Sequence, residues 1–370
     1  MVPRGLEGVE VDETAIALVD GEHGELSYRG EPIARLVTWP YSRVVWLVLH
    51  GMSSTGAELR GFEDALLHRG KLTTADARLV ALASETRAHP MHVLQGVAPL
   101  LDTSGVEAFE ALGFANDAAV GLVVAAKLPS VVATLLRLRT GQADPTPTAE
   151  RDPILRFLHE IGSDAADHRL AEAFRVTQIL QIEHGFSAGT FTARVIASTL
   201  AKAPNCIAGA LGALHGPLHG GADQATLEMA DEAGDPKLAA AFVDESLANG
   251  RKVMGMGHRE YKTLDPRARF VKDLARELAK GTELERTFET LEAIEARFRE
   301  VMMKRGKSLY ANLEFYKGVV YRAAGLPADY FTASFAMARV FGYMAHFIES
   351  RVNNRIMRPS ARYVGPPVDA

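Results

Sequence analysis

Side chains that could do chemistry occur in three separated segments of the chain: 216–223 (GPLHGGAD), 254–268 (MGMGHREYKTLDPRA) and 310–318 (YANLEFYKG). The first two place His219 and His258 beside glycines, which let a substrate approach the backbone closely. The third places a carboxylate, Glu314, among apolar and aromatic residues. Two histidines and a carboxylate are suited to removing a carbon-bound proton and stabilising the oxyanion that results. We therefore predict that these three side chains are catalytic.

A metal site is the first alternative for the histidine pair. His215 and His219 are four residues apart, and on one helical face this spacing could bind zinc. Pro217 lies between them and Gly220-Gly221 follow, so a regular helix through both histidines is not expected. Because no third ligand is obvious nearby, we predict no metal. A zinc hydrolase using His215, His219 and a carboxylate, or a structural role for His219, are the alternatives left open.

A basic run follows His258. It contains Arg259, Lys262, Arg267 and Arg269. Arginine gives bidentate contacts to carboxylates and phosphates, so this run could bind an anion. A solvated charged face is the alternative.

Three residues elsewhere are further candidates for substrate binding. Arg339 lies in an apolar helical run (FAMARVFG), and a buried guanidinium is costly unless it meets an anion. That anion is either an internal carboxylate or a ligand. Taken alone, His184 is better explained as a core histidine and Arg358 as a solvated residue of the tail.

Composition restricts the class of protein. With 370 residues the chain is long enough for a large core and for two domains. The net charge of −5 gives no basic footprint for nucleic acid. Cys206 is the single cysteine and the start lacks the layout of a signal peptide, so we expect a cytoplasmic protein.

The pattern of apolar residues predicts a mostly α fold with a small β-hairpin near the N-terminus, at LVDGEHGELSYRG. The stretches 118–138 and 192–214 are apolar but interrupted by charges and prolines, so we predict buried helices and no membrane span. Such helices favour a homodimer interface. We expect a large domain from 1–220 and 330–370 and a smaller, mobile, more charged domain over 221–329.

Together the three segments resemble those of the citrate synthase family, including its 2-methylcitrate synthase branch. GPLHGGA, GHR-YK-DPRA and N-x-acid-FY-G occur in this order, and the likeness runs from GLEGVEVDE to RIMRPSARYVGP. The resemblance implies a two-domain helical fold of the short, dimeric type, without a cofactor. It implies an acyltransferase of the tricarboxylic acid cycle that condenses acetyl-CoA or propionyl-CoA with oxaloacetate to citrate or 2-methylcitrate plus CoA.

The same resemblance implies the residue roles. His219 would donate a hydrogen bond to the thioester oxygen, His258 would protonate the ketone of oxaloacetate, and Glu314 would take the methyl proton. The residues implied for oxaloacetate are His184, Arg267, Arg339 and, reaching across from the partner subunit, Arg358. The residues implied for CoA are Lys252, Val253, Met254, Gly255, Met256, Arg259 and Lys262.

The sequence departs from the family pattern beside these residues. The usual aspartate of N-V-D-F-Y-S-G is Glu314, the serine of that motif is Lys317, and GGANE reads GGADQ with Asp223. A carboxylate displaced by about 1 Å can cost about 10²-fold in rate. Further departures are Glu260, Ser187 and Gly189. Three hypotheses follow: a working synthase, a related enzyme with a different acyl-CoA or 2-oxoacid, and a paralogue that binds these substrates without efficient turnover.

Overall fold

The computed structural model describes residues 3–366, and these form a mostly helical protein with one small sheet. In chain order the α-helices are α1 Ile33–Leu36, α2 Tyr41–His50, α3 Gly56–Arg69, α4 Thr74–Glu85, α5 Pro90–Val97, α6 Glu107–Glu110, α7 Asn116–Thr140, α8 Pro153–Glu160, α9 His168–Ile179, α10 Ala188–Ser198, α11 Ala203–His215, α12 Ala222–Ala233, α13 Ala239–Ala248, α14 Ala268–Ala279, α15 Glu285–Lys304, α16 Glu314–Ala323 and α17 Phe331–Val352. Short 3-10 helices cover Arg4–Leu6, Ala98–Leu100 and Ala328–Tyr330. The predicted mostly α fold is confirmed.

The predicted hairpin is also present, and the structure adds a third strand. Strands β1 Ala17–Asp20, β2 Glu25–Tyr28 and β3 Glu31–Pro32 form an antiparallel sheet in the order β1-β2-β3. The turn after β1 contacts the segment that follows His258, because Lys262 N–H donates to the Gly21 carbonyl at 2.9 Å. A Cβ on Gly21 would lie 2.0 Å from the Glu260 carbonyl oxygen, so only glycine permits this approach. The small sheet thus supports one side of the candidate site.

The two apolar stretches are buried, and only the second is divided between two helices. Helix α7 is long and apolar enough to cross a membrane by length and composition, yet 78% of its most apolar window is buried inside the protein. It runs through Lys127 and Pro129 without interruption. The stretch 192–214 is two helices, α10 and α11, separated by a turn in which Leu200 has a φ of 65°. Pro204 lies in the first turn of α11, where its missing N–H has no consequence.

Helix α17 lies at the centre of the molecule. Every residue from 331 to 347 is buried, and the helix packs against α2, α7, α10 and α11. A helix that is apolar on all sides belongs inside a large helical assembly. Because α17 carries Arg339, this candidate residue is held by a rigid element. The division into two domains remains a prediction.

Candidate active site

His219 lies in a tight turn between α11 and α12. Helix α11 ends at His215, and the turn is closed by hydrogen bonds from His219 N–H to the Gly216 carbonyl at 2.8 Å and from Gly220 N–H to the Leu214 carbonyl at 2.9 Å. A Cβ on Gly220 would meet the Leu214 oxygen at 2.5 Å, so the turn requires glycine there. The expectation that no helix runs through both histidines is correct. Their spacing therefore does not place them on one helical face.

The imidazole of His219 is available for a ligand. Its Nε2 is buried and has no hydrogen-bond partner among residues 3–366. Burial lowers the pKa of His219 to about 4, and the positive charges of Arg339 and Lys317 contribute. The ring is therefore neutral at pH 7. A buried polar nitrogen without a partner costs free energy that a bound oxygen would recover.

The second and third segments form one structural unit. Gly257 N–H donates to the Tyr310 carbonyl at 2.7 Å, and Asn312 N–H donates to the Gly255 carbonyl at 2.9 Å. The Asn312 side-chain amide also donates to the Gly257 carbonyl at 2.8 Å. Gly255 and Gly257 have φ values of 72° and 89°, which favour glycine. These contacts fix the His258 loop against the start of α16.

His258 presents an N–H toward an arginine. Its Nδ1 accepts hydrogen bonds from the backbone N–H groups of Glu260 and Tyr261, at 3.0 and 3.3 Å. Burial lowers the pKa of His258 to about 4, with a contribution from Arg267, so the neutral ring carries its hydrogen on Nε2. Arg267 Nη2 lies 3.3 Å from this Nε2. Because both groups are donors, they are arranged to share one acceptor oxygen from a ligand.

Asp265 holds Arg267 in place. The Arg267 guanidinium donates from Nε to Oδ1 at 2.9 Å and from Nη2 to Oδ2 at 2.8 Å, and both side chains are buried. Asp265 Oδ2 also accepts the Leu313 N–H at 3.0 Å, which ties the arginine to the start of α16. Burial alone would raise the pKa of Asp265, but Arg267 outweighs it and lowers the pKa. Asp265 was not among the residues predicted from the sequence, although its place in D-P-R was a usable signal.

His184 belongs to this site, which the sequence pattern alone did not favour. Its Nε2 lies 3.0 Å from the Tyr261 hydroxyl, and its ring centroid is 5.2 Å from that of His258. Burial holds the pKa of His184 well below its usual value, and the charges of Arg267 and Arg339 add to the effect. Three neutral histidines therefore lie among cationic groups.

Arg339 is buried without an anion. Its side chain is 1% exposed, and its Nε donates to the Gln181 carbonyl at 2.6 Å. A weaker contact joins Nη1 to the Ser187 hydroxyl at 3.4 Å. Within residues 3–366 no carboxylate forms an ion pair with it. Of the two alternatives, an internal carboxylate or a ligand, the geometry favours an anionic ligand.

Glu314 is the first residue of α16 and contacts a buried lysine. Lys317 Nζ pairs with Glu314 Oε2, lies 3.1 Å from Asp223 Oδ2 and donates to Gln181 Oε1 at 2.8 Å. Burial raises the pKa of Asp223 to about 6, and Lys317 offsets only part of that increase. This cluster joins the first segment to the third. From the sequence, its three charged members were recognised only as separate departures from the family pattern.

The family model described as citrate synthase, C-terminal domain, matches residues 5–360. The chain belongs to the citrate synthase family. It is 36% identical to the citrate synthase of Synechocystis over 98% of this chain and 90% of that one. It is 35% identical to the 2-methylcitrate synthase 2 of Corynebacterium glutamicum over 98% and 95%.

Solved citrate synthases have the same fold. The enzyme from Pyrobaculum aerophilum superposes with a TM-score of 0.89 at 33% identity, over 99% of this chain and 93% of that one. The enzyme from Thermoplasma acidophilum, solved as a ternary complex with carboxymethyl coenzyme A and oxaloacetate, gives a TM-score of 0.87 at 28% identity over 99% and 97%. The family and these structures indicate a transferase of the citrate synthase type.

A cavity lies beside His258, and of the residues predicted to bind CoA only Lys262 lines it. This cavity of about 320 Å³ is lined by the His258 loop and by residues 307–312. Lys252, Arg259 and Lys262 are exposed, and Lys262 forms an ion pair with Glu22. The remaining members of the predicted set, Val253, Met254, Gly255 and Met256, are buried or half-buried in the loop before His258.

Arg358 and His215, both considered from the sequence, lie away from the candidate active site. Arg358 is exposed in the tail after α17 and does not join the site of its own chain. His215 contacts the rings of His89 and His92, with centroids 4.4 and 4.6 Å away. Among residues 3–366, no group of three or more histidine, cysteine or acidic side chains is arranged to hold a metal ion.

Proposed function

We propose that this protein condenses acetyl-CoA or propionyl-CoA with oxaloacetate, giving citrate or 2-methylcitrate plus CoA. The observation that carries the proposal is the buried guanidinium of Arg339, which has no carboxylate partner in residues 3–366 and lies with Arg267 among three neutral histidines. Such a site is suited to a small dianion with a ketone oxygen. Relatives named citrate synthase and 2-methylcitrate synthase support this choice.

In the first step Glu314 removes a proton from the carbon beside the thioester carbonyl. That proton is weakly acidic, so the negative charge that develops on the thioester oxygen must meet a donor. His219 supplies it, because its buried Nε2 is free of other partners in the described chain. One such preorganised donor contributes about 10²–10³ in rate. A neutral donor suits this task, since it does not protonate the enolate outright.

In the second step the enol carbon attacks the ketone carbon of oxaloacetate. His258 Nε2–H and Arg267 are placed to contact the ketone oxygen and a neighbouring carboxylate oxygen, and His258 gives its proton to the alkoxide that forms. His184 and Arg339 hold the remaining carboxylate oxygens. Arg358 of the partner subunit completes the site in a homodimer. Water then cleaves the thioester and releases CoA.

The CoA portion binds along Lys252, Val253, Met254, Gly255 and Met256, with Arg259 and Lys262 near its phosphates. Movement of the smaller domain, residues 221–329, against residues 1–220 and 330–370 would exclude water during carbon–carbon bond formation. No metal ion or cofactor takes part, and we place the protein in the cytoplasm.

The test is release of CoA thiol by the purified protein with oxaloacetate and either acetyl-CoA or propionyl-CoA. We expect turnover with at least one thioester and a loss of about 10²–10⁴ in kcat for Glu314→Gln, because general-base catalysis contributes this much. Glu289→Gln, an exposed glutamate of α15, is the matched control and should leave kcat unchanged. Absence of CoA release with both thioesters would overturn the proposal.

The ion pair between Glu314 and Lys317 favours a second candidate function. Glu314 replaces the usual aspartate, and its pairing with Lys317 is suited to a substrate that lies in a shifted position. The alternative function is therefore a related reaction with a different acyl-CoA or 2-oxoacid, or the same reaction with slow turnover. Higher kcat/KM with another acyl-CoA or 2-oxoacid than with acetyl-CoA and oxaloacetate would support it.

A further inference from the structure

Three departures from the family pattern touch each other. Asparagine of GGAN is Asp223, serine of the N-V-D-F-Y-S-G motif is Lys317, and its aspartate is Glu314. Introduced alone, Lys317 would bury a cation and Asp223 would bury an anion, and either is costly without a partner. Together they compensate each other at 3.1 Å. The three substitutions are therefore one structural change.

The members of this cluster differ in exposure. The side chains of Lys317 and Asp223 are fully buried, whereas that of Glu314 is 15% exposed. Lys317 is fixed from several sides, since it also donates to Gln181 Oε1 at 2.8 Å and lies 4.5 Å from the Phe335 ring centroid. Of these three side chains, only that of Glu314 is partly exposed. Lys317 is thus more rigidly held than Glu314.

We propose that Lys317 is a positioning residue that holds Glu314 by its Oε2 oxygen, leaves the other oxygen for the substrate proton, and works as a unit with Asp223. The inference rests on the proposed function, in which Glu314 is the base. Glutamate is one methylene longer than aspartate, and the pair at i and i+3 on α16 anchors the longer side chain. Asp223 supplies a second negative charge, so the cluster remains anionic while Lys317 is charged.

A purely structural role makes a different prediction. If Lys317 only compensated buried charge, removing it together with Asp223 would leave a stable site in which Glu314 works as before. If it positions Glu314, the same double change leaves a folded protein with a loosely held base. Loss of about 1 Å of precision can cost about 10²-fold in rate. The two roles are therefore separated by kcat in a charge-balanced variant.

The experiment measures kcat and the KM for oxaloacetate, with the thioester that the wild type uses, in Asp223→Asn/Lys317→Ser and in the triple variant that adds Glu314→Asp. We expect the double variant to lose about 10- to 100-fold in kcat. The KM for oxaloacetate should change less than kcat does. The triple variant carries the family's residue at all three positions, and its kcat should recover most of the loss. Lys304→Ser, an exposed lysine of α15, is the control and should match the wild type. Circular dichroism and thermal melting confirm folding of each variant.

The outcomes separate this inference from the proposed function. Wild-type turnover with an equally fast double variant overturns the inference alone. A triple variant that stays as slow as the folded double variant overturns the claim that the three residues act as a unit. Absence of CoA release from the wild type overturns the proposed function and this inference with it.

Discussion

Two lysines are buried within residues 3–366, and the pKa values of their aspartate partners are shifted in opposite directions. Lys127, in the middle of α7, donates to Asp76 Oδ2 at 2.6 Å. Asp76 also accepts N–H groups from Thr73 and Asp102, and the Lys127 hydrogen bond together with these two outweighs burial and lowers its pKa. Lys317 meets Asp223 at 3.1 Å, yet burial raises the pKa of Asp223 to about 6. The lysine lowers the pKa of its aspartate in both pairs, yet the net shift is downward for Asp76 and upward for Asp223.

Three causes explain the difference: Asp223 is more strongly desolvated than Asp76, the negative charge of Glu314 raises its pKa further, and it accepts fewer hydrogen bonds. Asp76 accepts from a lysine and two backbone groups, and Lys127 has no second carboxylate within ion-pair distance in the described chain. Asp223 accepts one backbone N–H, from Gln224, and shares Lys317 with Glu314. A pair that serves stability is saturated with hydrogen bonds, whereas the pair beside the candidate base is not. Carboxylates whose pKa is shifted by burial and by charged neighbours are more frequent at functional sites.

The largest expected effect is on stability and follows from breaking the pair of Lys127 and Asp76. Lys127→Met leaves Asp76 buried without its cation, and we expect a loss of about 3–5 kcal/mol in the free energy of unfolding. Urea denaturation at pH 7 measures it. Lys304→Met removes an exposed ion pair and should cost less than about 1 kcal/mol. Equal stability of the two variants would mean that the buried pair is not a structural anchor.

The second effect concerns the base. Glu314→Asp alone shortens the side chain and withdraws its carboxylate from Lys317, so we expect kcat to fall by about 10²-fold. Glu289→Asp, on the surface of α15, is the matched control. A strong rise in kcat would instead favour a binding paralogue whose lost activity returns with the family's aspartate. Unchanged rates on every substrate would show that Glu314 is not the base.

A smaller effect concerns pH and separates the two aspartates. The folded pKa of Asp223 is raised, so between about pH 4 and 6 the native state binds more protons than the unfolded state. Its contribution to stability therefore increases as pH falls through 6. Relative to Asp223→Asn, the wild type should gain about 1 kcal/mol in the free energy of unfolding between pH 7 and 5. Denaturation at pH 7, 6 and 5 measures this difference.

Asp76 should behave in the opposite way. Its folded pKa is lowered, so its stabilising contribution is complete above the unfolded value near 4 and is lost below it. The stability difference between the wild type and Asp76→Asn should therefore stay constant between pH 7 and 5. A parallel pH dependence for the two aspartates would contradict the distinction between saturated and unsaturated pairs.

The smallest effect concerns the histidines. Burial lowers the pKa values of His219 and His258 to about 4, so both are neutral above pH 6. We expect kcat/KM to change by less than about twofold between pH 6.5 and 8, because this ratio reports ionisations of the free enzyme. Steady-state kinetics over this range measure it. A histidine inflection near pH 7 would mean that one of these rings is more solvated in solution than its burial indicates.

Features that depend on a few neighbouring residues were predictable. Asp152 caps α8 by accepting the N–H groups of Ile154 and Leu155, a role that aspartate favours at a helix start. Pro217 ends the helix before His219, and the turn at Asp20-Gly21 forms the hairpin. Each of these depends on contacts within about four positions. The sequence pattern could not decide whether 192–214 was one helix, because Leu200 adopts a φ of 65° that its residue type does not favour.

The family and the candidate residues could be recognised from the residues of the three segments and their order, since both are properties of the chain itself. Only the tertiary structure decided how the departures combine. Asp223 lies on α12 and Lys317 and Glu314 on α16, and folding brings these helices together around a buried amine. Sequence gives the charge of each residue, but burial and the number of hydrogen-bond donors set what that charge does. For this reason the pKa of Asp76 is lowered, whereas the pKa of Asp223 is raised to about 6.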